Sequence, residues 1–400
     1  MTKMQMSGLP GKTTVLIAGV DTLILNAKQK GDDNTPKKTQ TLPPDVGEHL
    51  DIWQKEAKFK EDPYVTPWKH ENVFLKMWPM GAPGWTWLLK NGCIDLMIGA
   101  QLNKSTLVRV RFSSEYLWKR GVHVALKNTH AFLNDLFGET LYLQPAEIHL
   151  CADVTGLVIP KDYEQVFISR AKLQRPIKES YLDKPIYRYN KLETLQFSGH
   201  GSPMSATIYD KPREIQIKSH KKVWFHDLWK KKGWQGGEQI WRVECRLKRE
   251  CLNEMDIEEA YDLLEKIPAL WAYCVGHVGE HDGWLRMVKP DKEDKNRWRW
   301  GTTKSWKAIQ QAFMDGWNGY EDMTDVQRER KREISLSQAE AAIAGYIATY
   351  AAWLEDGIEP SDDVSVVLTR IYEKITDLWE RKGVDFHYLR RQKQFDYHIS

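Results

Sequence analysis

The chain has 400 residues, too many for one minimal domain; at ~100–200 residues per domain, two or three are expected. With 42% hydrophobic and 28% charged residues it can bury a core, which excludes wholesale disorder. Five cysteines (Cys93, Cys151, Cys245, Cys251, Cys274) with no CxxC pair exclude a disulfide scaffold and argue against a thiolate zinc site. No window of ~18 apolar residues predicts a membrane span, the first twelve residues hold no secretory signal, and a cytoplasmic protein with reduced thiols is expected.

The net charge is only +3, from 58 Lys+Arg against 55 Asp+Glu. It is unevenly spread. Lys211–Glu250 holds twelve basic and five acidic residues, so this stretch carries +7 and the rest of the chain −4. A basic block in a near-neutral chain points to a polyanionic partner at one place.

In chain order, residues 15–26 predict a strand, 30–45 a polar loop, and His49–Lys60 a helix. Trp85–Lys90 and Cys93–Ala100 flank Asn91-Gly92, a strong hairpin signal, and Leu107–Phe112 predicts another strand. Ser114–Phe137 suits one or two helices interrupted near Gly121. A strand at 147–154 and a helix at Asp162–Leu173 follow, then strands at Glu193–Ser198 and Met204–Tyr209 around a Gly-rich turn, and an alternating strand at Ile240–Leu247. Beyond residue 251 the patterns at Glu254–Lys266, Thr303–Trp317, Thr324–Trp353 and Asp362–Lys382 are helical. The fold class is therefore α+β: a mixed or antiparallel sheet with a mostly helical C-terminal part, divided as 1–145, 146–255 and 256–400.

Two motifs are weak. Gly8–Thr13 suggests a phosphate loop, but position 6 is Met and the strand follows the glycines instead of preceding them. His277 and His281 have helical i,i+4 spacing, yet Gly276, Gly279 and Gly283 argue for a loop with ordinary surface histidines.

A third constellation carries more. Alternation on Ile240–Leu247 puts Arg242, Glu244, Arg246 and Lys248 on one face. Glu244 therefore lies in a row of cations that favour its charged form. With Asp153 it could hold a divalent cation; a salt-bridged sheet face beside a packed tyrosine accounts for the same spacing.

At these residues the chain resembles the Rep_trans family of replication initiation factors, the rolling-circle plasmid initiators and the related relaxases of conjugative elements. The resemblance runs through Glu147-Ile-His-Leu-Cys-Ala-Asp153, Thr194–Ser202, Thr207-Ile-Tyr-Asp-Lys211 with Glu214, and Ile240-Trp-Arg-Val-Glu-Cys-Arg-Leu-Lys-Arg249. It departs from the family where His149 stands at a metal-binding acid and Gln196-Phe197 replaces a Tyr-containing step. The resemblance implies a rolling-circle DNA replication initiator that nicks and religates one strand through a 5′-phosphotyrosyl intermediate. Tyr209 would be the nucleophile, with Lys211 or Arg242 neutralising the phosphate, and His149, Asp153 and Glu244 would hold Mg²⁺ or Mn²⁺. DNA, a host helicase and a second copy of the chain are the implied partners, with no membrane. A relaxase has the same chemistry, and a non-catalytic DNA-binding protein explains the basic block equally well.

Residues 218–237 interleave lysines with aromatics. In one reading Lys221, Lys222, Lys230, Lys231 and Lys232 track phosphates while Trp224, Trp229 and Trp234 stack on bases, with Arg246 adding a cation from the neighbouring strand. In the other, a helix at about 221–232 packs on the body and leaves its lysines in solvent.

Overall fold

The computed structural model describes residues 12–31, 35–37, 40–100, 106–160, 162–171, 186–188, 191–199, 201–314, 336–353, 363–382, 385–387 and 389–391. In chain order they form β1 (Thr14–Gln29), α1 (Pro44–Lys60), β2 (Tyr64–His70), β3 (Val73–Met77), β4 (Trp85–Lys90), β5 (Ile94–Ala100), β6 (Val108–Phe112), α2 (Ser114–Arg120), α3 (Val122–Phe137), β7 (Leu141–Thr155), α4 (Tyr163–Val166), β8 (Phe167–Ser169), β9 (Ile186–Arg188), β10 (Lys191–Phe197) and β11 (Met204–Asp210). They continue as α5 (Lys211–Ile217), α6 (Phe225–Lys231), β12 (Trp241–Lys248), α7 (Arg249–Asn253), α8 (Ala260–Glu265), α9 (Ile267–Val275), β13 (Leu285–Met287), α10 (Lys304–Gln310), α11 (Leu336–Trp353) and α12 (Val364–Lys382). Two compact units result, Met1–Arg328 and Glu329–Ser400, the second containing α11 and α12. Among the described residues, no helix is long and apolar enough to cross a membrane.

Eleven of the described strands form one antiparallel sheet in the order β2-β3-β4-β5-β6-β1-β7-β12-β11-β10-β9. It runs without a break across position 145. Alternation sorts its two faces. Leu23, Leu25, Ile148, Leu150, Ala152, Val243, Cys245 and Leu247 point into a core closed by α3, α8, α9 and α10. The other face carries Glu147, His149, Asp153, Arg242, Glu244 and Arg246. A smaller apolar cluster (Leu16, Ile215, Phe225, Trp229, Ile240) holds α5 and α6 over part of it.

Most expected elements are present. Asn91 Oδ1 accepts from the backbone of Cys93 and Ile94, and Gly92 takes the left-handed φ of 86° that such a turn requires. Gly121, at φ 81°, separates α2 from α3. The helix expected at Asp162–Leu173 stops at Val166, because Phe167–Ser169 pairs with Leu285–Met287 and buries Phe167 and Ile168; tertiary pairing overrides local preference. Of the helix expected over Glu254–Lys266 only α8 forms; α7 ends before it, and Asp256 at φ 54° lies between the two. Most of Gly8–Thr13 and the first twelve residues of Thr324–Trp353 lie outside the described residues. His277 and His281 sit in a loop, with His277 Nδ1 2.5 Å from Asp282 and His281 Nδ1 3.2 Å from Arg286.

Candidate active site

Registry across three strands builds the site. Tyr209 of β11 lies opposite Arg242 of β12, which lies opposite Asp153 of β7. Further along, Glu244 faces Cys151 and Arg246 faces His149. Directly opposed residues share a face, so one side of the sheet gathers all these groups. A bulge in β1 between Val20 and Thr22 adds Asp21 to the same side.

The groups divide into two clusters. In the first, Tyr209 Oη donates to Glu244 Oε2 at 2.7 Å, and Lys211 Nζ lies 3.5 Å from the same phenol oxygen and 2.8 Å from Glu214. The other oxygen of Glu244 is 2.9 Å from His149 Nδ1, and His149 Nε2 is 2.7 Å from Glu147. Arg246 reaches Glu147 at 3.0 Å. The His149 and Glu244 side chains keep 16% and 18% of their exposure, so this cluster opens to solvent.

The second cluster is sealed. Arg242 grips Asp153 through Nε at 2.6 Å and a terminal nitrogen at 2.9 Å, and reaches Asp21 through the other at 2.8 Å. Trp229 Nε1 donates to Asp153 at 2.9 Å, and Lys222 pairs with Asp21 at 3.1 Å. Phe225 of α6 lies over the guanidinium, its ring centroid 4.5 Å from Cζ. Arg242 and Asp153 are both 0% exposed.

This arrangement revises several expectations. Arg242 is spent on two buried carboxylates. Asp153 is bound into that clamp by Arg242 and Trp229. Trp229 is buried as a cap, and Trp224 stacks on Phe225 at 4.0 Å between ring centroids, so these aromatics cover the sheet; Trp234 packs edge-on against Trp229. Lys222 is paired, while Lys221, Lys230, Lys231 and Lys232 are exposed. The covering-helix reading of residues 218–237 thus accounts for the aromatics, and the lysines stay on the surface. Glu147 and Asp21 are site residues that the sequence reading left unassigned; the i,i+2 spacing of Glu147 and His149 on a strand was the available signal.

In the structure the three expected metal ligands, His149, Asp153 and Glu244, are engaged by protein side chains. Both ring nitrogens of His149 lie against carboxylates, Nδ1 2.9 Å from Glu244 and Nε2 2.7 Å from Glu147. Asp153 already accepts three hydrogen bonds. Among the described residues no group of three His, Cys, Asp or Glu is placed to hold a metal ion.

Charge follows from these contacts. Burial opposes the His149 charge, but hydrogen bonds to Glu147 and Glu244 outweigh it and push the ring up to about 9. Burial likewise opposes charge on Glu244 and Glu147, yet contact with His149 holds each down to about 2. Tyr209 is raised well above 10, by burial first and then by the Glu244 charge, so the phenol is protonated at rest. Burial lowers Lys211. The His149 contribution to stability is complete below pH 6.5 and is lost as pH rises toward 9, while the carboxylate contribution is complete above pH 4.5 and is lost toward 2. Burial holds His70 down to about 4, which withdraws stability as pH falls below 6.5, so unfolding free energy is expected to be greatest near pH 6.5 and to fall by on the order of 2 kcal/mol by pH 9. Denaturant melts across that range check this. A His149→Gln variant should show a flat alkaline limb.

No family model matches the chain, and no curated protein matches it. A solved structure of a rolling circle replication initiator protein from Geobacillus stearothermophilus aligns with 78% of this chain and 99% of its own, at 11% identity and a TM-score of 0.40.

Proposed function

We propose that the protein is a rolling-circle replication initiator that nicks one DNA strand with Tyr209 and can reseal it. The observation that carries this reading is the 2.7 Å hydrogen bond from the Tyr209 hydroxyl to Glu244, with the Lys211 ammonium 3.5 Å from the same oxygen, on a partly open sheet face. A phenol hydrogen-bonded to a carboxylate and flanked by a cation has a nucleophile, a proton acceptor and a charge stabiliser within one contact shell.

In this reading the phenol oxygen attacks phosphorus while its proton passes to Glu244. An oxygen–phosphorus bond forms to Tyr209 and the bond to the 3′ oxygen breaks. That oxygen leaves, takes a proton from solvent and becomes a 3′-OH that a polymerase can extend. Lys211 offsets the charge that develops on the phosphoryl oxygens. His149, held between Glu147 and Glu244, fixes the Glu244 carboxylate with one oxygen toward the phenol. The phosphotyrosyl bond conserves the energy of the broken linkage, so resealing is the same step reversed. A host helicase and a second copy of the chain are the partners proposed with this role.

The test uses a random-sequence single-stranded DNA pool labelled at either end. A 5′-phosphotyrosyl link retains the 3′-labelled part on the protein through denaturing electrophoresis and releases the 5′-labelled part. Tyr209→Phe should form no adduct. An undiminished adduct in that variant would place the nucleophile elsewhere, and retention of the 5′ label would reverse the polarity.

A further inference from the structure

The face that bears Tyr209 continues beyond the site onto β1 and β6–β3. Registry links Lys248, Glu147, Ile24, Arg111, Asp95, Lys90 and Lys76 in one row across the sheet. A neighbouring row places Arg109 opposite Met97, and Lys69 lies opposite Phe74 at the sheet's edge. From β2 to β6 this face carries five cations (Lys69, Lys76, Lys90, Arg109, Arg111) against Asp95. Lys69, Lys76 and Arg111 are exposed, while Lys90, Arg109 and Asp95 are half-buried.

Aromatics are interleaved with these cations. Phe74 and Trp78, on the same face of the β3 run, are 43% and 41% exposed. Lys69 Nζ sits 4.3 Å from the Phe74 centroid and Lys90 Nζ 5.2 Å from the Trp78 centroid. Neither ring belongs to the core cluster, which Leu75 and Met77 enter from the opposite face of the same strand. Large apolar rings left in water beside an excess of one charge are the composition of a surface that stacks bases and tracks phosphates.

We infer that this face is a single-stranded nucleic-acid track that leads a strand across β3–β6 toward Tyr209. The inference rests on the nicking function proposed above for the direction of the strand, and on the face's own charge and aromatics for binding. Seven strand spacings of about 4.8 Å separate β3 from β11, roughly 34 Å, or about ten nucleotides at 3.4 Å each. The track should therefore engage long strands and miss short ones.

The test measures binding of fluorescent oligothymidylates of about five and about fifteen nucleotides as a function of salt. It uses Tyr209→Phe as parent, so that cleavage plays no part. Adding Phe74→Ala and Trp78→Ala should weaken the longer strand about tenfold or more and leave the shorter one unchanged. Arg109→Gln with Arg111→Gln should lower the salt slope by about 1.4, two contacts at ~0.7 each. Thermal melts verify that these surface variants stay folded. If the variants bind the long strand like the parent, the track is wrong even where wild-type protein forms its covalent adduct. If they lose binding while wild-type protein never forms an adduct, the nicking role fails and the track stands. Equal competition by duplex DNA of the same length would also overturn it.

Discussion

Arg242→Met is expected to lower the unfolding free energy by about 3–5 kcal/mol, read as a reduced urea midpoint with an unchanged slope. The guanidinium is fully buried and serves two carboxylates, Asp153 at 0% and Asp21 at 6% exposure. Methionine fills much the same volume but leaves Asp153 with only the Trp229 indole and Asp21 with Lys222 and Ser114. The cost comes from stranding the two charges, not from losing an attraction that burial had already largely offset. Adding Asp153→Asn to Arg242→Met should recover part of the loss, which a purely steric effect would not allow. A ligand role for Asp153 predicts something different: a Mn²⁺-dependent rise in melting temperature in the wild-type protein, absent in Asp153→Asn. The clamp predicts no such rise.

Glu244→Gln is expected to slow covalent adduct formation by about 10²–10⁴, measured in single-turnover quench experiments. The amide is nearly isosteric and can still accept from Tyr209, so the fold and the phenol's position should hold. What disappears is the proton acceptor. Glu244→Asp should restore part of the rate, since it returns the carboxylate at the cost of reach. A rate in Glu244→Gln within a factor of two of wild type would remove Glu244 from the proposed step.

Alternation made much of the sheet legible. The charged face of β12 was readable from Arg242, Glu244, Arg246 and Lys248, and Tyr209 from its place at a strand end. What could not be read was which charges would meet. Period-two spacing places Arg242 and Glu244 on the same side but says nothing of the strands beside them. Once β7 lies alongside, registry gives Arg242 to Asp153 and puts His149 within reach of Glu244. The bulge that brings in Asp21 leaves no mark in composition. Residues 218–237 misled for another reason: lysines and tryptophans interleave both in a helix that lies on a body and in an arm that grips a polyanion. Only the burial of Phe225 and Trp229 separates the two. The strands β2 and β3 were missed because Pro67 and a Glu71-Asn72 turn with positive φ interrupt their pattern.

The long first strand has a consequence for synthesis. Thr14 pairs with Thr155, and β7 must itself pair with β12 at positions 241–248. A ribosome that has made the first strand must therefore add well over a hundred residues before its main partner exists, and more before the nucleophile's neighbour arrives. Contacts so distant along the chain favour slow closure. Until then the strand's unpaired edge is open to wrong partners. Chaperone demand during translation should concentrate in that interval and subside once residue 248 has emerged.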